Sequence, residues 1–184
     1  MINMEIELRA RINDKNIFQD KLNSLPDVKA ISTGERQIDT YLKHSSDIER
    51  VLVLRIRRKN NGAILSFKTK SEGKDVAWHD IDLPLSEPDL MEDILTNSGY
   101  IYVVEIDKVR DAFLFKNFEI NLDQIRDLGL FVEVAIEVPE SESDNKDIYI
   151  KKLEELLAKL GCEKQQIIKL GYVKLMEQKN QNQH

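Results

Sequence analysis

Apolar and polar residues alternate almost from the first position of this chain. Across Met4–Ile12, residues Ile6, Leu8, Ala10 and Ile12 fall on one face, while Glu5, Glu7, Arg9 and Arg11 fall on the other. Successive side chains of a strand point to opposite faces, so this period of two predicts a half-buried strand. The same reading predicts strands over residues 36–43, 50–58, 63–70, 76–83, 102–114, 115–122 and 130–138. Asn60-Asn61-Gly62 joins two of them in a tight hairpin, because Asn and Gly tolerate the positive φ such turns need. Elsewhere helical spacing replaces alternation. Residues 13–25 carry Ile17, Phe18 and Leu22 on one helical face, and 144–160 carry Ile148, Leu153, Leu156, Leu157 and Leu160 ahead of Gly161. A helix after Pro84 has Ser86 as its expected cap, Pro88 in its first turn and Gly99 as its stop. A short helix over 165–177 ends the order. Eight strands with helices between groups of them predict an α+β plan dominated by antiparallel sheet.

Composition narrows the class. With 184 residues, 41% hydrophobic and 33% charged, the chain suits one globular domain over 1–177 with a polar, frayed tail over 178–184. No apolar run approaches the roughly 18 residues a membrane span needs. The start has no secretory apolar region, and a single cysteine, Cys162, allows neither a disulfide framework nor a zinc cluster. A cytoplasmic location follows, with Cys162 read as a buried small hydrophobe. A net charge of −6 argues against a general nucleic-acid binder, which needs a positive field, yet leaves room for a locally basic pocket.

Several strands set two like charges at i and i+2: Glu5/Glu7, Arg55/Arg57, Lys68/Lys70 and Lys108/Arg110. Residues two apart share a face. Asp123 and Glu133 stand among apolar neighbours on two further strands. One such pair is ordinary on a solvated sheet, but a solvated face mixes its signs. Like charges side by side repel unless a counter-charge lies between them. A barrel enclosing these faces would pair the carboxylates with divalent cations and the basic groups with phosphates, and a triphosphate with its metal ions supplies both partners. Arg suits bidentate phosphate contacts, and Lys acts as a mobile point charge. Hard oxygen donors such as Glu5, Glu7, Asp123 and Glu133 suit Mg²⁺ or Mn²⁺.

The same residues fall in ordered blocks: Glu5-Ile6-Glu7-Leu8-Arg9, Asp39-Thr40-Tyr41-Leu42, Leu54-Arg55-Ile56-Arg57 and Leu65-Ser66-Phe67-Lys68. Asp107-Lys108-Val109-Arg110, Ile120-Asn121-Leu122-Asp123, Gly129-Leu130-Phe131-Val132-Glu133 and Lys169-Leu170-Gly171-Tyr172 follow. Together they resemble the CYTH superfamily of triphosphate tunnel enzymes, whose ExExK signature the first block is similar to. That group holds class IV adenylyl cyclases, thiamine triphosphatases and inorganic tripolyphosphatases. The resemblance implies an eight-stranded antiparallel closed β-barrel with flanking helices, its interior being the active site. It implies Glu5, Glu7, Asp123 and Glu133 as catalytic carboxylates holding Mg²⁺ or Mn²⁺. It implies Arg9, Arg55, Arg57, Lys68, Lys108, Arg110 and Lys169 as the residues that bind the triphosphate.

The blocks also depart from the family pattern. Arg9 replaces the signature Lys, which keeps the charge, changes the reach and removes any deprotonated base. Ala135 stands where many phosphatase members carry the second Glu of an E-x-E pair, and Phe131–Ile136 looks like the cyclase version. The Arg55/Arg57 pair looks more like the phosphatases. Asp80 and Asp82 replace a Glu-rich strand, and Leu130 replaces an Asn or Asp. Two reactions fit one lumen: cyclisation of ATP to cyclic AMP and pyrophosphate, favoured on Ala135, or hydrolysis of inorganic tripolyphosphate, thiamine triphosphate or a nucleoside triphosphate. A non-catalytic polyphosphate or nucleotide binder is the reading from another class. The expected partner is a small-molecule triphosphate, ATP or tripolyphosphate, with neither nucleic acid nor membrane, and the chain a monomer or homodimer. His79 beside Trp78 is read as strand surface, and His44 and His184 carry no assigned role.

Overall fold

The computed structural model describes residues 3–47, 52–70 and 77–181, with the backbone alone for 3, 52, 53, 68–70, 77–80 and 143. In chain order the elements are β1 (Asn3–Arg11), α1 (Lys15–Asn23), β2 (Lys29–His44), β3 (Leu52–Lys59), β4 (Gly62–Lys70) and β5 (Ala77–Leu85). They continue with α2 (Pro88–Asn97), β6 (Tyr100–Phe115), β7 (Phe118–Ile125), β8 (Gly129–Pro139), α3 (Lys146–Lys159), β9 (Ile167–Ile168) and α4 (Tyr172–Gln181). All pairings are antiparallel within one nine-stranded sheet, ordered β5-β4-β3-β2-β6-β7-β8-β1-β9. The two-residue β9 adds a strand to the eight expected and lies on β1 through Arg9↔Ile168 and Ala10↔Ile167.

β1 also meets β5, at Glu5↔Trp78 and Ile6↔Ala77. That contact brings the far ends of the sheet together over two register positions, against nine between β1 and β8. The sheet therefore curls on itself without a full hydrogen-bonded ladder to close it, and the closed eight-stranded barrel is not shown.

Alternation decides what each face of the curl holds. The apolar set of β1 packs outward with Ile120 and Leu122 of β7 and Val132 and Val134 of β8, beneath Phe18 and Leu22 of α1 and Leu153, Leu156 and Leu157 of α3. Met91 and Leu95 of α2 cover Leu42, Leu54 and Ile56 on the outer face of β2 and β3. α4 packs on the other face, where Tyr172 and Met176 meet Val104, Ile106, Ile125 and Phe131. These buried side chains supply the apolar burial that sustains the fold. No helix among the described residues is long and apolar enough to cross a membrane.

Several boundaries differ from the pattern reading, each for a local reason. Ile17 and Ile148 are 57% and 55% exposed, because α1 and α3 each bury a narrower stripe than their apolar residues suggest. Glu87 rather than Ser86 is the cap of α2, with no side-chain bond; Pro88 starts the helix through its fixed φ. The segment 165–177 is split: a 3₁₀ turn over Lys164–Gln166 leads into β9, and α4 begins only at Tyr172. α4 then runs on to Gln181, where a frayed tail was expected, and Lys179 Nζ donates to the Asp127 carbonyl at 2.6 Å. Arg50, Val51, Val76 and His184 lie outside the described residues.

Candidate active site

The inner face of the curl collects charge strand by strand. Glu5, Glu7 and Arg9 lie on β1, Asp39 on β2, Arg55 and Arg57 on β3, Lys108 and Arg110 on β6, Asp123 on β7 and Glu133 on β8. Register sets neighbours directly opposite: Asp39↔Arg57, Arg110↔Asp123 and Arg9↔Glu133. Each of these becomes an ion pair, as cross-strand opposition favours.

The geometry is that of a connected network. Arg57 donates through Nε and Nη2 to both oxygens of Asp39 at 2.6 and 2.7 Å. Arg110 does the same to Asp123, at 2.6 Å twice, and its Nη2 also reaches Glu133 Oε1 at 2.9 Å. Arg9 Nη2 lies between Glu7 Oε1 at 2.5 Å and Glu133 Oε2 at 2.8 Å. Lys108 Nζ sits 3.9 Å from Asp39 Oδ2 and 3.7 Å from Asp123 Oδ2, close enough for attraction and too far for a hydrogen bond. Arg55 Nη2 donates to Ser66 Oγ at 2.6 Å and lies 3.9 Å from the half-exposed Asp82. Beneath them is Tyr172, with the Arg9 guanidinium 4.9 Å and the Lys108 ammonium 5.5 Å from its ring centre.

Burial and charge act together on protonation. Burial pushes the Asp39 carboxyl upward, but the hydrogen bonds from Arg57 and the charge of Lys108 hold it well below the usual range. Glu133 is held low in the same way by Arg9, Arg110 and Lys108 against its burial. Asp123 is lowered too, with Arg110 and Lys108 prevailing over desolvation. Lys108 moves the other way: burial, then repulsion from Arg110, bring its ammonium down to about 7. Burial and the nearby carboxylates Asp123 and Glu133 keep the Tyr172 phenol protonated far beyond its ordinary range.

The predicted set is therefore gathered unevenly. Glu7, Arg9, Arg55, Arg57, Lys108, Arg110, Asp123 and Glu133 share the inner face, with Glu5 half-buried on the same side of β1. Lys169 follows β9 and is exposed, apart from that network. The side chain of Lys68 lies outside the described residues, as do those of Trp78 and His79; its backbone pairs with Asp80 across β4 and β5. Four participants were not picked out from sequence: Asp39, Gln37, Asn121 and Tyr172. Asp39 stands in a block already quoted, and the Asp39–Arg57 opposition is a signal available only once strands are aligned. Gln37 and Asn121 lie two residues from Asp39 and Asp123 on the same faces. Each donates its amide to a carboxylate, at 2.6 Å to Glu35 and 2.7 Å to Glu119, leaving buried Gln37 Oε1 and Asn121 Oδ1 without a partner. Arg55 Nε and the Tyr172 hydroxyl are likewise buried and unpartnered.

Among the described residues, no group of three or more His, Cys, Asp or Glu is gathered closely enough to hold a metal ion. One pair nonetheless has the right form. A single nitrogen of Arg9 is clamped between Glu7 and Glu133, so these two carboxylates are spaced to share one cation. They fit Mg²⁺ or Mn²⁺, hard ions commonly held by one or two carboxylates with the remaining positions taken by water and substrate phosphates. Asp123 differs, since both its oxygens accept from Arg110.

The CYTH domain model matches residues 3–172 of the chain. A Methanocaldococcus jannaschii protein named as a candidate adenylate cyclase is 27% identical over 179 residues, covering 94% of this chain and 98% of the relative. A Pyrococcus horikoshii protein of known structure, PH1819, aligns over 95% of this chain and 99% of its own with a TM-score of 0.79 and 24% identity. A Hippeastrum protein described as having a dominant triphosphatase activity aligns over 88% of this chain and 89% of its own, with a TM-score of 0.57 and 17% identity.

Proposed function

The chain belongs to the CYTH domain family, and on that footing we propose that it is a divalent-metal-dependent enzyme acting on a triphosphate held inside its curled sheet. In this reading the β1–β5 contact completes a tunnel. The carrying observation is that two of the inward-facing bases are incompletely partnered. Arg9, Arg55, Arg57, Lys108 and Arg110 share the interior with Glu7, Asp39, Asp123 and Glu133, with Glu5 beside them, yet Arg55 keeps a buried Nε without a partner and Lys108 stands 3.7 and 3.9 Å from its nearest carboxylate oxygens. Buried cationic groups without a bonded partner are costly unless an anion arrives, and a polyphosphate is an anion long enough to meet several of them at once.

The side chains divide the work. Asp39 and Asp123 orient Arg57 and Arg110, so their guanidinium groups need little reorganisation when phosphate oxygens approach. Arg55 brings an unpartnered Nε and Lys108 a nearly free ammonium, suited to charge that builds on the leaving phosphates. Glu7 and Glu133, with Glu5 beside them on β1, would hold Mg²⁺ or Mn²⁺. When bound, that ion supplies charge neutralisation at the phosphates and acidification of the attacking hydroxyl.

Cyclisation of ATP is the reaction we favour. Ala135 is buried and stands opposite Glu7 and Glu119, so this end of the site has a methyl group where a further carboxylate would crowd a nucleoside. The likeness to the Methanocaldococcus jannaschii relative supports the same reading. Hydrolysis is the second reading, favoured by the adjacent Arg55/Arg57 pair and by the Hippeastrum neighbour. The test is product analysis after incubation with Mn²⁺ and either ATP or inorganic tripolyphosphate. Cyclic AMP with pyrophosphate supports cyclisation, and orthophosphate from either substrate supports hydrolysis. No turnover of either sinks the enzymatic reading.

A further inference from the structure

Arg9 is the one residue where the chain replaces the family's signature Lys, and its position is unusual in a second way. Its Nη2 atom touches Glu7 and Glu133 together, at 2.5 and 2.8 Å, and its Nε adds a contact to Glu133 Oε2 at 3.2 Å. The other arm of the fork, Nη1, donates to the Leu170 carbonyl at 3.2 Å, just ahead of α4. The guanidinium lies over the Tyr172 ring, and the residue is 6% exposed. Burial disfavours its charge, but Glu7 and Glu133 more than offset this and hold the proton firmly. One nitrogen thus fills the place between two carboxylates that a small cation would take. A lysine carries its three donors on one nitrogen and lacks the spread fork by which Arg9 reaches the carboxylates and the Leu170 carbonyl from separate nitrogens.

We propose that Arg9 is an internal stand-in cation, which neutralises Glu7 and Glu133 in the empty protein and must leave them when a divalent ion enters. This deepens the metal-dependent reading above and rests on it. Two carboxylates cannot give their inner oxygens to a guanidinium and a divalent ion together. A divalent ion alone therefore has to displace a buried, doubly bonded cation that has nowhere else to go. A triphosphate changes that balance, because its oxygens give the released guanidinium a new anionic partner while its own charge favours the metal. Metal and triphosphate consequently bind with positive coupling, and Arg9 is the residue through which the coupling runs. Glu7 is the more open of the two carboxylates, its side chain 12% exposed against 8% for Glu133, so the side-chain swing starts from its side. The Leu170 carbonyl offers the swing a fixed pivot.

The experiment titrates the full-length protein with Mn²⁺, following free ion by electron paramagnetic resonance, with and without a methylene-bridged ATP analogue. Arg9→Ala and Arg9→Lys are compared with wild type, and circular dichroism verifies their fold. Without the analogue, Arg9→Ala should bind Mn²⁺ about tenfold or more tightly than wild type, the size of a moderate coupling between two ligands, with Arg9→Lys between them. The analogue should tighten Mn²⁺ binding to wild type far more than to Arg9→Ala. If Arg9→Ala and Arg9→Lys bind Mn²⁺ no more tightly than wild type, while wild type still turns over triphosphate, the stand-in role is wrong and the proposed function stands. If no form binds Mn²⁺ even with the analogue, the stand-in role falls together with the metal dependence.

Discussion

Lys108 is buried between two carboxylates that already belong to arginines, which leaves it attracted on both sides and bonded on neither. With its ammonium brought down to about 7 from an ordinary 10.5, first by burial and then by Arg110, it is largely neutral at pH 8 in the empty protein. A bound polyanion should restore the charge. Calorimetric titration of inorganic tripolyphosphate at pH 8, in buffers of differing ionisation enthalpy, should therefore report uptake of close to one proton. At pH 6 the uptake should vanish, because Lys108 is already charged. Equal proton exchange at both values would contradict the assignment. Stability follows the same linkage: between about 7 and 10.5 the unfolded chain holds the extra proton, so Lys108 weighs on the fold most below that window and is relieved as pH rises through it. Asp39 carries the opposite sign. Its carboxyl is held below its ordinary 3.8, so its stabilisation is fully present above that value and is lost as pH falls through the folded one. Asp39→Asn leaves Arg57 buried without its anion, which typically costs about 3–5 kcal/mol. Urea unfolding at pH 7 should show that loss, and a change under 1 kcal/mol would mean that water, not Asp39, satisfies Arg57.

At the level of elements, α4 is both wall and floor: Tyr172 packs edge-on against Phe131 at 5.3 Å and lies under Arg9 and Lys108. Its hydroxyl is buried with no protein partner. Removing an unsatisfied buried hydroxyl avoids a desolvation penalty of about 1–3 kcal/mol, so Tyr172→Phe should raise the melting temperature of the ligand-free protein. If instead it lowers the melting temperature, an internal water already satisfies that oxygen. Alternation along β1, β3 and β6 was enough to assign their charged residues to one face, because a period of two needs no knowledge of partners. What alternation cannot carry is register. The opposition of Asp39 to Arg57, and the meeting of β1 with β5 through Glu5 and Trp78, depend on distant segments aligning. The stretch around Ile167 has a helical pattern in sequence and forms strand β9 for a related reason. Two β-branched residues on a sheet edge leave too short a signal beside a helical one. β2 likewise begins at Lys29, well ahead of the apolar alternation, since its first half is polar and irregular, with Gly34 at φ 65°.

For the whole molecule, charge is sorted by location. The chain carries 27 bases against 33 acids, a net −6, yet five bases turn inward, where they meet Glu7, Asp39, Asp123 and Glu133 with Glu5 beside them. A net negative chain disfavours long polyanions such as nucleic acids, while a short one that fits inside meets the unpartnered Nε of Arg55 and the loosely held Lys108. Arg55 gives the cleanest access to this claim. Its Nε has no partner and its strongest bond is to Ser66, so Arg55→Gln strands no buried carboxylate and should leave urea stability nearly unchanged. Calorimetric binding of inorganic tripolyphosphate to wild type and Arg55→Gln therefore tests the interior site most directly. The account predicts one-to-one binding to wild type, weakened by the variant roughly tenfold to a hundredfold, the value of a charge-assisted bond to phosphate. Absence of binding to wild type, or equal affinity in the two proteins, would contradict it.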